Sequence, residues 1–368
     1  MPRKRRTMDC RCGQAAACYR CKRQNLKMTD EDIIGFEALW DSAMKCKRGV
    51  MWKDSAAAFC LDAVQNVSRL SDELEDGTYK ERQHKYFTIK SPKEREIMSI
   101  SFRDRVYQRS LNDVGIYPAM AKGFIYDNCA CQKGKGADFA RKRLKTHMQR
   151  FYRKHGSAGW VLKMDVRGYY PNMRHDVAKA TFQRRLEPVI YERAATVLDS
   201  FPGETGFNPG SQIIQIAGIS VLDPIDHCIK ERLRAKYYIR YMDDMLVISH
   251  DFAELEAIKA AVAGKLRLMG FELHPQKTRI TALTEGVMFL GFRYRLTDTG
   301  KVIMTLDSDR VSAQRRKLRR MAGKVRNGTL TREKMAESYT CWRSHAAKGD
   351  SYALLKRMDN FFNTLMEV

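Results

Sequence analysis

Residues 237–250 read Tyr-Tyr-Ile-Arg-Tyr-Met-Asp-Asp-Met-Leu-Val-Ile-Ser-His. Two β-rich runs flank an Asp-Asp pair, the pattern of a hairpin. Asp also favours solvated turns, but Tyr-Tyr-Ile-Arg on one side and Met-Leu-Val-Ile on the other bury such a hairpin in a sheet and hold Asp243 and Asp244 rigidly. Adjacent carboxylates repel, and a divalent cation between them relieves the repulsion. Upstream, Trp160-Val-Leu-Lys-Met-Asp165 is a second apolar strand that ends in an acid. Three carboxylates from two neighbouring strands can hold two Mg²⁺ ions about 3.5–4 Å apart, as in-line phosphoryl transfer requires. One ion lowers the pKa of an attacking 3′-hydroxyl, and the other neutralises a triphosphate and its leaving pyrophosphate.

The rest of the composition suits a polyanionic partner. The chain has 368 residues, 44% hydrophobic and 30% charged, with a formal net charge of +24. That length predicts two or three lobes, and the apolar content is enough for a real core. So large a positive excess disfavours acidic scaffolds and most small-metabolite enzymes, and favours nucleic acid or an anionic membrane surface. No apolar run reaches the length of a membrane span, so no integral membrane protein is expected. The opening MPRKRRTMDC is basic with no apolar region behind it and does not read as a secretory signal. Ten cysteines without an export signal predict reduced thiols in a cytoplasm. Four of them, Cys10, Cys12, Cys18 and Cys21, stand as C-x-C and C-x-x-C. They either wrap one structural Zn²⁺ or belong to a Cys-rich basic arm. Cys129 and Cys131 read as packing residues.

The pattern along the chain is mixed. Residues 1–28 form the basic arm, and helices are predicted from Thr29 to Asp76. KYFTIK and EIMSIS alternate like strands around a Ser-Pro turn, and RDRVYQRSLNDV is helical. Residues 139–154 predict a helix with an apolar stripe of Ala140, Leu144, Met148 and Phe151. Its many Arg and Lys residues form either a solvated face or a nucleic-acid contact. QKGKG (132–136) reads as a backbone contact to a template or as a flexible turn. Helices are predicted in 175–201, in 213–237 and over 251–269, VMFLGFRYRLT as paired strands, and helix from Ser308 to the end. VSAQRRKLRRMAGKVR (311–326) has seven basic residues and no acidic one. Its narrow stripe of Val311, Leu318, Met321, Ala322 and Val325 can pack while the other face tracks phosphates. The whole predicts an α+β architecture.

With Asp165 followed five residues later by Tyr170, and then Tyr-Met-Asp-Asp, the chain resembles reverse transcriptases at their motifs A and C. Other pieces follow in that family's order. SPKEREI (91–97) resembles the fingers segment, and FRDRVYQRSL the helix after it. GFNPGSQIIQ (206–215) resembles motif B, HPQKT (274–278) the motif with a catalytic lysine, and VMFLGF (287–292) the primer grip. The resemblance covers about residues 80 to 300. It implies a right-hand polymerase fold with fingers, a palm whose antiparallel sheet carries the acids, and a helical thumb. The expected divisions are an arm over 1–28, N-terminal helices and fingers over 29–160, palm over 161–285, primer-grip strands over 286–307 and thumb over 308–368. It also implies RNA-directed DNA polymerase activity with two Mg²⁺, or Mn²⁺ in their place, held by Asp165, the Val166 carbonyl, Asp243 and Asp244. Lys93 and Arg95 then hold the incoming triphosphate, and Gly210 and Gln215 back the nucleotide and templating base. Tyr170 lies under the sugar and excludes a 2′-hydroxyl, and Lys277 protonates pyrophosphate. The partners implied are template RNA, a primer or cDNA, and dNTPs.

Within that family the C-terminal run SYTCWRSHAAKGDSYALLKRMDNFF looks like enzymes of diversity-generating retroelements, bacterial or phage-encoded. Gln215 matches the Ser-Gln end of their motif B, although Ile214 replaces the Ser and Asn208-Pro209 replaces an Ile-Pro-Ile-like stretch. That subgroup implies error-prone copying at template adenines, a structured non-coding RNA and a small basic accessory protein. The rival is an antiphage-defence reverse transcriptase that copies a dedicated RNA, or one with protein-primed or untemplated synthesis.

Overall fold

The computed structural model describes residues 29–89 and 94–367. They form two compact units, one of residues 29–84 and 100–116, the other of 85–99 and 117–367. The four cysteines near the N-terminus, Cys10, Cys12, Cys18 and Cys21, and Lys93 lie outside the described residues.

The first unit is helical. The predicted helical stretch from Thr29 begins with two helices, Glu31–Ile34 and Phe36–Cys46, parted at Gly35, where the backbone is extended (ψ 153°). Two more helices follow, Asp54–Leu61 and Ala63–Glu75, likewise parted at a single residue, Asp62. Val67, Leu70 and Leu74 are buried at helical spacing and give the second of these its inner face. Phe102–Ser110 is capped by the Ser101 side chain and runs on into a π-helical turn, Leu111–Ile116. Asp104 is fully buried and accepts bonds from Tyr79 Oη (2.8 Å), the Arg82 amide (3.1 Å) and Ser101 Oγ (2.6 Å), so its burial leaves no bare charge.

The second unit carries three antiparallel sheets. Lys85–Ile89 (β1) and Arg95–Ser99 (β2) form a hairpin. Trp160–Asp165 (β3), Tyr237–Tyr241 (β4), Asp244–Ser249 (β5) and Arg279–Ala282 (β6) form a sheet of order β4-β5-β3-β6. Val287–Phe289 (β7), Phe292–Leu296 (β8) and Val302–Leu306 (β9) form the third. The turn between β7 and β8 is two residues, Leu290 (φ 46°) and Gly291 (φ 91°). Both are left-handed, and that twist suits a tight hairpin.

Alternation decides what each face of the central sheet does. Val161, Tyr237, Ile239, Leu246 and Ile248 point to one face. There they pack with Leu144, Met148 and Phe151 of the helix Ala137–His155 and with the inner residues of β7 to β9. Leu162, Met164, Tyr238, Arg240, Met245 and Val247 alternate with them and are buried on the opposite face. The sheet is covered on both sides, and its acidic end emerges from a rigid core.

The helices predicted downstream are present in pieces. His175–Gln183 and Pro188–Asp199 are separate, the second beginning at a proline, which suits a first helical position. Gln212–Val221 and Asp223–His227 lead into a π-turn at Cys228–Arg232. Phe252–Leu268 is one helix. After β9 come three helices, Ser308–Arg326, Arg332–Ala346 and Tyr352–Met366, as the helical reading from Ser308 onward expects. Leu318 and Ala322 pack with Met335, Tyr339 and Met358, and Val311, Met321 and Val325 flank them, so the apolar stripe read from the sequence is the seam of this bundle. Among the described residues no helix is long and apolar enough to cross a membrane.

Two basic segments are less free than their sequence suggests. In the helix Ala137–His155, Arg143 Nε donates to buried Asp127 (2.5 Å) and Arg141 to Asp138 (2.6 Å), while Lys142, Arg150, Arg153 and Lys154 remain exposed. In QKGKG, Lys135 Nζ donates to the carbonyls of Tyr126 (2.9 Å) and Asn128 (2.9 Å) and to Gln132 Oε1 (3.0 Å). That ammonium staples its own loop, and only Lys133 of the pair is exposed.

Candidate active site

The register of the central sheet brings the acids together. Asp165 ends β3 directly opposite Asp244, which begins β5. Tyr241 faces Asp244 across the hairpin, leaving Met242 and Asp243 as a two-residue turn. Asp165 and Asp244 are cross-strand neighbours on one face, so their side chains lie together, and Asp243 adjoins them at the turn.

Burial and mutual repulsion leave a mark on these acids. Burial pushes the Asp244 carboxyl up to about 6, and the charges of Asp165 and Asp243 add to the shift while Lys163 opposes it. Asp243 is raised too, by burial first and then by Asp165, against Lys277 and Arg240. Two lysines answer the negative charge. Lys277, an exposed residue in the segment before β6, places Nζ 3.0 Å from Asp165 Oδ1. Lys163, two residues before Asp165 and on the same face of β3, places Nζ 3.2 Å from each oxygen of Asp244. Hydrogen-bond geometry is met at Oδ2 alone, so Oδ1 is buried without a donor. The same ammonium donates to the Met288 carbonyl of β7 at 2.9 Å.

The turn is held from below. Arg240 stands on the opposite face of β4 from the acids and is completely buried. Its Nε and Nη2 grip Asp226 at 2.7 and 2.6 Å, Nη2 also reaches the Ile219 carbonyl, and Nη1 donates to the Met242 carbonyl at 2.9 Å. Burial alone would lower the pKa of this guanidinium, but Asp226 outweighs it and raises it, so Arg240 stays charged. Tyr238 Oη completes the cluster with a 2.6 Å bond to Asp226. Met242 has φ 57°, a left-handed conformation that costs a non-glycine residue about 1–3 kcal/mol and persists where surroundings enforce it.

The other residues singled out in the sequence are distributed as follows. Val166 forms an isolated bridge with Leu273 whose bonds run from the His274 amide to the Asp165 carbonyl and from the Arg167 amide to the Glu272 carbonyl. The Val166 carbonyl takes no part in it. Tyr170 lies beyond a tight turn after β3, and its backbone carbonyl accepts from the Phe207 amide at 3.0 Å. Gly210 sits just before the helix Gln212–Val221, against the Met98 carbonyl of β2, where a side chain would stand 2.8 Å away. Asn208 Nδ2 donates to the Glu96 carbonyl (3.1 Å), which ties this loop to the strand that carries Arg95. Gln215 donates to the Pro209 carbonyl (3.1 Å) and accepts from Cys131 Sγ (3.7 Å), whose sulfur also lies 3.6 Å from Met242 Sδ.

The acids suit a hard cation in donor chemistry. All donors are oxygens, one is orphaned, and two ammonium groups stand where metal charge would otherwise be needed. Among the described residues no three acidic, His or Cys side chains converge closely enough to enclose an ion as they lie. The site therefore offers oxygen donors that suit a hard divalent cation, with two lysines bound to them as they lie.

Sequence reading did not assign Lys163, Arg240 or Asp226. Lys163 was detectable by period alone, since residues 163 and 165 share a face. Arg240 was printed inside the hairpin, but its partner is 14 residues upstream in a different element.

No curated protein sequence matches the chain. Among solved structures, that of telomerase from Candida albicans, in complex with a fragment of telomeric RNA, is similar at 11% identity and a TM-score of 0.47. The match covers 77% of this chain and 55% of that one, so this chain spans little more than half of that protein's length. Residues 89–294, more than half of the chain, match the family model described as reverse transcriptase (RNA-dependent DNA polymerase). Those residues include the acidic hairpin, β3 and the loop before Gln212–Val221. The chain thus belongs to the reverse transcriptase family, and its α+β assembly of antiparallel sheets and helices is a right-hand polymerase fold.

Proposed function

We propose that this protein is an RNA-directed DNA polymerase that extends a primer along an RNA template by nucleotidyl transfer at Asp165, Asp243 and Asp244. The observation that carries the reading is the register of the central sheet, which sets Asp165 opposite Asp244 beside the turn that bears Asp243. These side chains and the Val166 carbonyl would hold two Mg²⁺ ions, with Mn²⁺ as a substitute. When bound, the ions supply a lowered pKa at the primer 3′-hydroxyl and charge neutralisation on the triphosphate. Asp243 and Asp244, raised while metal-free, bind in the ionised form.

Each remaining residue has a role along the nucleotide. Lys93 and Arg95 grip the triphosphate, and Gly210 and Gln215 back the base pair. Tyr170 closes the space a 2′-hydroxyl would need. Lys277, exposed at the rim beside Asp165, gives its proton to pyrophosphate as the bond to the α-phosphorus breaks. Residues 29–160 serve as N-terminal helices and fingers, 161–285 as palm, 286–307 as primer-grip strands and 308–368 as thumb. In the last of these, exposed Arg316, Lys317, Arg320 and Lys324 follow the primer–template backbone.

Within the family we favour the diversity-generating retroelement enzymes, on the resemblance of residues 338–362. That reading brings a structured RNA, a small basic accessory protein and errors concentrated at template adenines, in a bacterial cytoplasm. The test is primer extension on a defined RNA with Mg²⁺ and all four dNTPs, with the products sequenced. Asp243→Ala and Asp244→Ala are expected to abolish extension while RNA binding persists, and full extension by both would refute the active-site assignment. Accurate copying would move the chain to a defence lineage.

A further inference from the structure

Behind Tyr170 stands a glycine that the polymerase reading leaves unexplained. Gly218 lies in the middle of the buried helix Gln212–Val221, flanked by Ala217 and Ile219, both fully buried. Glycine is the least favourable helix residue after proline, so its place here runs against local propensity. Its carbonyl accepts the Tyr169 hydroxyl at 2.5 Å, which pins that turn of the helix to the segment bearing Tyr170. A methyl group at Gly218 would stand 2.7 Å from Tyr170 Oη and 3.1 Å from Cε1 and Cζ. The first distance is far inside van der Waals contact. Tyr170 Oη is itself buried without a hydrogen-bond partner, so it is placed there by shape and by no bond of its own. The other end of Tyr170 is fixed, since its backbone carbonyl receives the Phe207 amide. Burial leads the rise in the pKa of this phenol, and Cys131 and Asp243 contribute.

We infer that Gly218 is a positioning residue for nucleotide selection. Its missing side chain forms the recess that takes the hydroxyl end of Tyr170, and the depth of that recess sets how far the ring projects over the sugar of the incoming nucleotide. This rests on Tyr170 being the sugar gate. With a methyl at 218 the helix cannot yield, because its neighbours are buried and its backbone is tied to Tyr169. The ring must then move outward, into the space the deoxyribose occupies.

The test is a double-variant cycle read by single-nucleotide incorporation on an RNA template, with KM and kcat for dNTP and rNTP. Gly218→Ala is expected to raise KM for dNTP on the order of tenfold, with a smaller change in kcat, because it misplaces a positioning group and leaves the acids alone. Tyr170→Phe removes Oη, the nearest atom, and leaves contacts that a few tenths of an ångström relieve. The double variant Tyr170→Phe/Gly218→Ala is therefore expected to return to the KM of Tyr170→Phe. An unchanged KM in Gly218→Ala overturns the proposal, as does a defect that Tyr170→Phe fails to rescue, which would mark Gly218 as ordinary packing. Should Gly218→Ala not fold, the double variant decides: it folds and binds dNTP if the recess is real, and fails like the single variant if it is not. Tyr170→Ala is the separate check on the gate. If it admits no ribonucleotides, the gate reading falls and the proposal with it; if it admits them while Gly218→Ala leaves KM unchanged, the proposal alone falls.

Discussion

Arg240 gives the sharpest way to part the stability of this fold from the placement of its acids. Removing Asp226 alone would leave a guanidinium with no solvent exposure and no counter-charge, a change worth about 3–5 kcal/mol. Against a usual total of about 5–15 kcal/mol, Asp226→Leu is expected to unfold at a much lower urea concentration than the parent. Replacing the whole cluster is different. Arg240→Met, Asp226→Leu and Tyr238→Phe together remove the charges and the hydroxyl that bonds them, and such exchanges for apolar residues are often neutral or stabilising. What the triple variant cannot replace is the donor to the Met242 carbonyl. A hydrogen bond from a charged donor contributes about 1.5–3 kcal/mol, which is as large as the roughly 1–3 kcal/mol of strain at a left-handed non-glycine residue. The turn then loses its preference for the observed shape, and extension is expected to fall by about one to two orders of magnitude at parental stability. Urea unfolding followed by circular dichroism and single-turnover extension at saturating Mg²⁺ give the two readouts. A triple variant that extends primers at the parental rate would refute the argument that Arg240 holds the turn.

Three further outcomes are expected. Metal-free, the folded chain keeps a proton on Asp244 up to about pH 6, whereas an ordinary Asp loses it at 3.8; this group's contribution to stability is thus full below 3.8 and is lost as the pH rises to about 6. Mg²⁺ binds the ionised form, so its effect on the unfolding temperature should be larger at pH 7.5 than at pH 5, and equal shifts would refute the assignment. Tyr170→Phe removes a buried hydroxyl that has no partner and should stabilise the fold by about 1 kcal/mol; ribonucleotides should still be excluded, because the ring remains. Urea titration checks the first point, and a clear loss of stability would contradict it. Changing exposed Arg316, Lys317 and Arg320 to Gln should lessen the slope of log affinity for RNA against log salt by about 2, at roughly 0.7 per phosphate contact on a single strand. An unchanged slope would remove that helix from the footprint.

The hairpin and its three acids were legible because both signals are local. The apolar run of WVLKMD and the β-rich runs around Asp243 placed the acids at strand ends, and two such strands in one sheet bring them together. The short strand β6 was missed because four residues, Arg279–Ala282, have too little alternation to stand out; β3 supplies their pairing. The helix breaks at Gly35 and Asp62 were missed because apolar spacing runs through them, and tertiary packing decides where the axis turns. The largest gap concerns positive charge. In sequence, Arg141, Arg143 and Lys135 allow a nucleic-acid contact, and Lys163 and Arg240 are charges inside strands with no assigned partner. In the fold each is drawn inward by an acceptor: Arg240 by Asp226, Arg143 by Asp127, Lys163 by Asp244 81 residues away. A basic run in sequence reveals charge, and only the fold reveals which charges are already answered.

Lys163 has one more implication. A single ammonium is bonded at once to Asp244 on β5 and to the Met288 carbonyl on β7. The side chain therefore works as a tether of fixed length between the strand that bears an acid and the strand that resembles a primer grip. If β7 slid by an ångström as a primer advanced, one of the two bonds would stretch beyond useful length. Under the proposed function, in which β7 seats the primer, the tether would make the acidic end of the sheet and that seat move as one body, with each new terminal hydroxyl presented at the same height above Asp244.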